Sequence, residues 1–476
     1  MVEALAELYD NTTIVAISTP PGVGGIAVAR LSGRDAIEIA DKIWRGKRLS
    51  GVNTHTVHLG IVLDSKGDEL DQCVVTVFIG PNSFTGQDTV EFAVHGSKFV
   101  QRELVASLVN AGATPARAGE FTRRALTAGK LSLTQAEAIA DIIHSTSRAA
   151  HRLAVSQLKG NFAHNIDTLR QQLIDLVSLL ELELDFSEED VAFADRKQLK
   201  SIALNIKNQL ERLLDTFRTG NAVKNGIPVA IIGKANVGKS SLLNALTQSD
   251  RAIVTDIAGT TRDTIEEIIE IGDYIFRFID TAGLRHTDDP IEKIGIERSV
   301  KTAKEALIVL HVTDDKTDLQ NWEMSTEPSF DPSQTVINIL NKCDLIADKS
   351  SSNQNNTSYQ DKNNHTEDFI RVSAKTGEGL DLLRQRLEEV ANSQLHSAEQ
   401  GADNEDIIIT NQRHATSLAK AIKACDAAIL ALDTDHPTDL VAEDVRSVLD
   451  CLSELTGQIT STDILTTIFS RFCIGK

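Results

Sequence analysis

Aromatic residues make up only 4% of the 476 residues, with two Trp and three Tyr among them. Proteins that hold single strands by stacking need rows of such rings, so a stacking platform is excluded as the main device. Positive charge is short as well: 48 Lys and Arg stand against 68 Asp and Glu, a net charge of −20. A field of that sign repels phosphodiester backbones, so any RNA contact is expected to be local or supplied by a partner. The five cysteines, at 73, 343, 425, 451 and 473, are odd in number and lack metal-ligand spacing. That excludes a disulfide framework and fits a reducing cytosol. No apolar run approaches the roughly 18 residues of a membrane span. The start, Met-Val-Glu-Ala-Leu-Ala-Glu, has acids where a secretory signal has bases, so a cytoplasmic location without membrane contact is expected.

What the chain does have is Gly233-Lys-Ala-Asn-Val-Gly-Lys-Ser240, the spacing G-x-x-x-x-G-K-S. The run Ile227 to Ile232 before it reads as a buried strand, and Ser241 to Leu246 after it as the start of a helix. In that setting the glycines turn backbone N–H groups of Asn236, Val237 and Gly238 toward phosphate oxygens, and the helix N-terminus favours negative charge. Lys239 is expected to reach the β- and γ-phosphates, and Ser240 to ligate Mg²⁺ with Ser241 beside it. Three further motifs follow in order, each closing an apolar run. Asp280, with Thr281, Ala282 and Gly283, is placed to hold the Mg²⁺ shell and sense the γ-phosphate. Asn341, Lys342, Cys343 and Asp344 name the base, because an Asp carboxylate accepts from guanine N1–H and its 2-amino group, neither of which adenine offers. Ser373, Ala374 and Lys375 supply a backbone N–H for guanine O6. Ligands gathered at the carboxyl ends of parallel strands are what an open α/β sheet predicts. A Mg²⁺-dependent GTP-binding module is the expectation.

Leu284 follows Gly283, where many GTPases carry a Gln that orients the attacking water. Hydrolysis therefore needs another device, and two are at hand. The loop Thr255, Asp256, Ile257, Ala258, Gly259, Thr260, Thr261 offers Thr261 to Mg²⁺ and main-chain oxygens to a second cation between the phosphates. Glu292 could orient water, although an isolated Glu there equally fits a solvated surface charge.

Texture divides the chain into four segments. Residues 1–127 alternate short β-like runs (13–17, 25–29, 57–63, 73–78, 90–94) with helical stretches at 35–44 and 98–110, as in a small α+β domain. Residues 128–221 turn to a three-and-four period, with Ile166, Leu169, Leu173 and Leu180, then Leu199, Ile202, Ile206, Leu210 and Phe217, as in long amphipathic helices. The GTP-binding module, 222–391, interrupts that helical texture, which returns over 392–476. The polar, Asn/Ser-rich stretch 348–367 reads as a disordered loop. The fold class expected is multidomain α/β: an α+β domain, a helical domain and an inserted, doubly wound P-loop domain.

These motifs, together with Thr19-Pro-Pro-Gly-Val-Gly-Gly25, Arg30-Leu-Ser-Gly33, Gly80-Pro-Asn-Ser-Phe-Thr-Gly86, His95-Gly96, Gly119-Glu-Phe-Thr-Arg-Arg124 and the ending Phe472-Cys-Ile-Gly-Lys476, resemble the MnmE (TrmE) family of tRNA-modification GTPases from end to end. The resemblance implies a homodimer whose N-terminal domains bind 5,10-methylenetetrahydrofolate, for which 5-formyltetrahydrofolate is an analogue. It implies a partner FAD protein of the MnmG (GidA) type and a tRNA whose wobble uridine gains an aminomethyl or carboxymethylaminomethyl group at C5. By motif match, Arg30, Glu91, Lys130 and Lys476 would bind the folate. Asn236, Thr255, Ile257 and Thr260 would hold K⁺, Ser240 and Thr261 Mg²⁺, and Glu292 the catalytic water. Cys473 would be a functional thiol; a small buried thiol is its bland alternative. The chain departs from the family pattern at Ala235, Gln87, Ser97 and Ala118, none of them an expected contact. A regulatory or ribosome-assembly GTPase without one-carbon chemistry is the competing expectation.

Overall fold

Alternation of buried and open residues builds a seven-stranded sheet from the first part of the chain. Its strands are β1 (Ile14–Ile17), β2 (Gly24–Ser32), β3 (Trp44–Arg45), β4 (Thr56–Leu63), β5 (Glu69–Phe78), β6 (Thr89–Gly96) and β7 (Thr114–Pro115). They lie in the order β3-β4-β5-β6-β2-β1-β7, antiparallel throughout except for the parallel pair β1–β7. Ala27, Ala29 and Leu31 of β2, Val90, Phe92 and Val94 of β6, and Cys73, Val75 and Val77 of β5 are buried in one core. The helices α1 (Ala36–Ile43) and α2 (Lys98–Asn110) contribute Ile39, Leu104 and Leu108 to it. Successive side chains on a strand point to opposite faces, so Arg30 and Glu91, directly opposite each other in register, stand on the other face.

The computed structural model describes residues 12–185, 196–234, 236–248, 266–279, 306–315, 331, 334–345, 369–401, 407–434, 436–457, 465, 468–470, 472 and 475. Among them the helices continue with α3 (Glu120–Thr127), α4 (Leu133–His144), α5 (Arg148–Leu158), α6 (Asn161–Asp185), α7 (Arg196–Asp215) and α8 (Phe217–Asn225). The apolar period that runs from Leu199 to Phe217 is broken between α7 and α8 at Thr216. Its hydroxyl donates back to Leu213 O at 2.7 Å, as Thr hydroxyls do within helices, and accepts from Ile409 N, far along the chain, at 3.0 Å.

A second sheet follows: β8 (Ile227–Ile232), then α9 (Lys239–Gln248), β9 (Glu266–Ile271), β10 (Tyr274–Ile279), β11 (Ile308–Thr313), β12 (Thr335–Leu340), β13 (Phe369–Arg371) and α10 (Leu380–Gly401). The order is β13-β12-β11-β8-β10-β9, parallel except for the antiparallel pair β9–β10 at one edge. β11 is buried along its whole length, and β8 nearly so, as strands covered on both faces must be. The chain ends with α11 (Gln412–Asp433) and α12 (Thr438–Thr456). α12 lies antiparallel to α6: Arg170 Nε donates to Ser453 Oγ at 3.1 Å, and Arg446 Nη2 to Glu181 Oε1 at 2.6 Å.

Contacts group the chain into two compact units, Met1–Ile143 with Val155–Lys207 and Lys420–Lys476, and His144–Ala154 with Asn208–Ala419. Among the described residues no helix is long and apolar enough to cross a membrane. The stretch 348–367 lies outside the described residues.

Candidate functional site

β8 delivers the chain into a loop whose backbone only small residues tolerate. Gly233, Asn236 and Gly238 have φ of 150°, 64° and 96°. A Cβ on Gly233 would strike Val312 O, and one on Gly238 would strike Asn341 Nδ2, so glycine is required twice by close approach. Val237 is buried and anchors the loop. Lys239 Nζ donates to Gly233 O and Lys234 O, both at 2.8 Å, holding the ammonium on the loop itself. Leu242 N donates to Gly238 O at 2.9 Å, opening α9, and Ser240 and Ser241 lie exposed in its first turn. Backbone donors at a helix N-terminus beside a lysine make a phosphate cradle.

Asn341, 1% exposed at the end of β12, ties three loops together. Its Nδ2 donates to Val237 O at 2.8 Å, and its Oδ1 accepts from Ala374 N at 3.2 Å. Lys342, at φ 60°, donates through Nζ to Asn236 O and Asp314 Oδ2, both at 2.7 Å. Ser373 Oγ donates to Asp344 Oδ1 at 2.7 Å and accepts from Thr376 N at 3.2 Å. The hydroxyl thereby fixes the rotamer of an exposed carboxylate, which is what reading a guanine edge requires. Burial, then the neighbouring Glu378, pushes the Cys343 thiol above its ordinary value, so it stays protonated. Residues 236–239, 341, 342, 344, 373 and 374, read as separate motifs, are thus brought together by hydrogen bonds across three loops. Thr255, Asp256, Ile257, Ala258, Gly259, Thr260, Thr261, Asp280, Thr281, Ala282, Gly283 and Glu292 lie outside the described residues. Of the expected cation ligands, Ser240 and Asn236 are described.

On the open face of the first sheet, Arg30 Nε donates to Glu91 Oε1 at 2.8 Å. The guanidinium carbon is 5.4 Å from the centroid of Phe84 and 5.6 Å from that of Phe121, within cation–π reach of both. Beside the pair opens a cavity of about 440 Å³, lined also by Thr89, Phe78 and Phe84 and, from α4 and α5, by Ile139, Ile142, Ile143 and Leu158. Its size is that of a small-molecule site, and a largely apolar lining with a few polar groups is the usual make-up of one. Lys130, exposed between α3 and α4, does not line it; its side chain lies against Gly86, with Cε 3.6 Å from where a Cβ there would stand. Cys473 and Lys476 lie outside the described residues, whereas Gly475, at φ 101°, accepts through its O from Ser18 Oγ at 3.0 Å.

Sequence reasoning missed the isoleucines of α4, although their i, i+3, i+4 spacing is the available signal. It also gave the departures no work. Gln87 Oε1 accepts from Arg124 Nη1 at 3.0 Å, helping to satisfy a guanidinium that is 3% exposed and paired with Glu120 at 3.1 Å. Ser97 Oγ accepts from Phe99 N at 3.2 Å and so caps α2.

Residues 133–473 match the family profile described as MnmE helical domain, which spans well over half of the chain, and residues 13–130 match that of the GTP-binding protein TrmE N-terminus. The chain belongs to the MnmE family of tRNA modification GTPases. Similar proteins carry the name tRNA modification GTPase MnmE. That of Christiangramia forsetii is 44% identical over 480 residues, covering 98% of this chain and 99% of its own length. Those of Parabacteroides distasonis and Porphyromonas gingivalis are each 44% identical, over 474 and 477 residues, covering 98% of this chain and 100% and 99% of their own lengths. As a member of the MnmE family, the protein is a GTP hydrolase of tRNA modification.

Proposed function

We propose that this MnmE-family protein hydrolyses GTP with Mg²⁺ and K⁺ and acts with an FAD-carrying MnmG-type partner on the wobble uridine of tRNA. The product would be an aminomethyl or carboxymethylaminomethyl group at C5, and the one-carbon unit would come from 5,10-methylenetetrahydrofolate. The observation that carries the folate half is the cavity at Arg30 and Glu91, which joins a carboxylate to apolar walls. A carboxylate accepts from the N–H edge of a pterin, and cations such as Lys130 and Lys476 would pair the carboxylates of its tail.

For hydrolysis, Ser240, Thr261 and Asp280 would hold Mg²⁺, and Asn236, Thr255, Ile257 and Thr260 would hold K⁺. The two cations would neutralise charge between the β- and γ-phosphates. Glu292 would orient the water, since Leu284 has no polar group to do so. Cys473 would act at the folate end. The protein would work as a homodimer joined through residues 1–127, with 222–391 inserted between helical segments 128–221 and 392–476, in the cytoplasm.

The test is reconstitution of the chain with an MnmG-type flavoprotein, tRNA and methylenetetrahydrofolate, followed by mass spectrometry of the nucleosides. The modified uridine should form, Cys473→Ser should abolish it, and Na⁺ in place of K⁺ should slow GTP hydrolysis. Hydrolysis without any modified uridine would favour an assembly or regulatory GTPase.

A further inference from the structure

Ala149 and Leu153, one turn apart on α5, are buried in the core of the second sheet together with Ile269, Ile271 and Tyr274. Their segment, His144–Ala154, belongs to the same compact unit as that sheet, although the chain reaches β8 only at Ile227. What the segment grips is the turn Gly272-Asp273 between β9 and β10. Ser147 caps α5: its Oγ accepts from Ala150 N at 3.1 Å and its O from His151 N at 3.0 Å. The first N–H groups of a helix need partners from outside it, and Ala149 N finds one in Asp273 O at 3.0 Å. Arg148 Nη1 lies 3.7 Å from Asp273 Oδ1. α10 holds the same turn. A Cβ on Gly272, at φ 59°, would strike Glu388 Oε1, and Tyr274 Oη donates to Asn392 Oδ1 at 2.8 Å.

The hairpin held in this way joins the two segments expected to sense a γ-phosphate. Thr261 precedes β9 in the chain, and Asp280 follows β10 directly. β9 is the edge strand and, among the described residues, pairs with β10 alone. A strand is nearly inextensible at about 3.3 Å per residue, so a pull at the Asp280 end of β10 arrives at its Tyr274 end, beside the turn. GTPase segments that sense the γ-phosphate are ordered by it and by Mg²⁺, and are released on hydrolysis. Resting on the reading of Thr261 and Asp280 as such segments, we infer that the first turn of α5 is a latch on the β9–β10 turn, which GTP loosens and GDP closes. α5 thereby registers the nucleotide state. From Val155 onward the same helix belongs to the other compact unit, where Leu158 O accepts from Gln135 Nε2 at 2.9 Å. The helix is thus a covalent route out of the GTP-binding unit.

Hydrogen exchange on the full chain, with GDP or a non-hydrolysable GTP analogue, reads the latch. Amides 149–154 should exchange at least about tenfold faster with the analogue. Linkage supplies a second readout: a latch that GTP must loosen disfavours GTP, so its removal should favour the analogue over GDP. Ala149→Pro removes the N–H, and the first turn of a helix tolerates proline. In that variant the ratio of analogue affinity to GDP affinity should rise about fivefold, and the exchange difference over residues 151–154 should vanish. Arg148→Ala, which cuts only the ion pair, should move the ratio the same way by less, and separates loss of the latch from misfolding. Equal or slower exchange with the analogue in wild-type protein, or an unchanged ratio in both variants, overturns the latch. Asp280→Ala checks the reading beneath it. Undiminished analogue affinity there overturns that reading and the inference together, whereas affinity lost in Asp280→Ala with equal exchange in wild-type protein overturns the latch alone.

Discussion

Around Lys239 the groups that would meet a ligand are the backbone of a few consecutive residues, shaped by glycines at φ 150° and 96° and locked by Asn341. Around Arg30 they are side chains from strands and helices far apart in sequence; the Arg30–Glu91 pair alone spans 61 positions. A backbone-built site carries its geometry in a contiguous motif. A site built by strand register and helix packing carries it in the fold as a whole. The two should therefore fail differently. The second should break only when a side chain is removed, whereas the first should break on loss of Lys239 and also when a mere methyl is added to its backbone.

The largest effect is expected at Lys239, whose ammonium is held on the loop by Gly233 O and Lys234 O. Lys239→Ala should lower GTP hydrolysis by about 1,000-fold in steady-state kinetics; a fall below tenfold would mean that backbone donors alone make the site. Next comes the buried Glu120–Arg124 pair of α3. Glu120→Gln leaves the Arg124 guanidinium without its carboxylate and should cost about 3 kcal/mol in urea unfolding. A change under about 1 kcal/mol would show that the other acceptors of the guanidinium, Gln87 Oε1 and the O and Oγ1 of Thr12, suffice. Gly238→Ala adds only a methyl, yet at φ 96° and against Asn341 it should weaken GTP roughly 100-fold, read by titration with a fluorescent nucleotide. Retained affinity would remove the contrast between the two sites.

The same contrast explains how much was legible in the sequence. The phosphate loop, Asp344 and the Ser373 turn are consecutive residues at strand ends, so spacing alone located them. β11 was not read as a strand, although Ile308–Thr313 is fully buried. His311 interrupts its apolar run, and only the structure supplies the partner, Asn338 Oδ1 at 3.1 Å from His311 Nδ1. β9 was also passed over. Glu-Glu-Ile-Ile-Glu-Ile mixes charge with apolar residues, as an edge strand does, and the parallel core gives no cue to its antiparallel pairing. Glu91, read alone, fitted an edge-strand charge. It is on β6, an interior strand between β5 and β2, where the opposite residue in register is Arg30. No local pattern encodes that register, and the family resemblance was what singled the residue out.

On the proposed function, one chain joins a guanine-reading loop network to a folate pocket at Arg30 and Glu91. Calorimetric titration of wild-type protein and Glu91→Ala with 5-formyltetrahydrofolate tests it most directly. Saturable binding in the wild type, weakened at least about tenfold in Glu91→Ala, is the predicted result. Absence of binding in wild-type protein that hydrolyses GTP, or equal binding in both proteins, would contradict it.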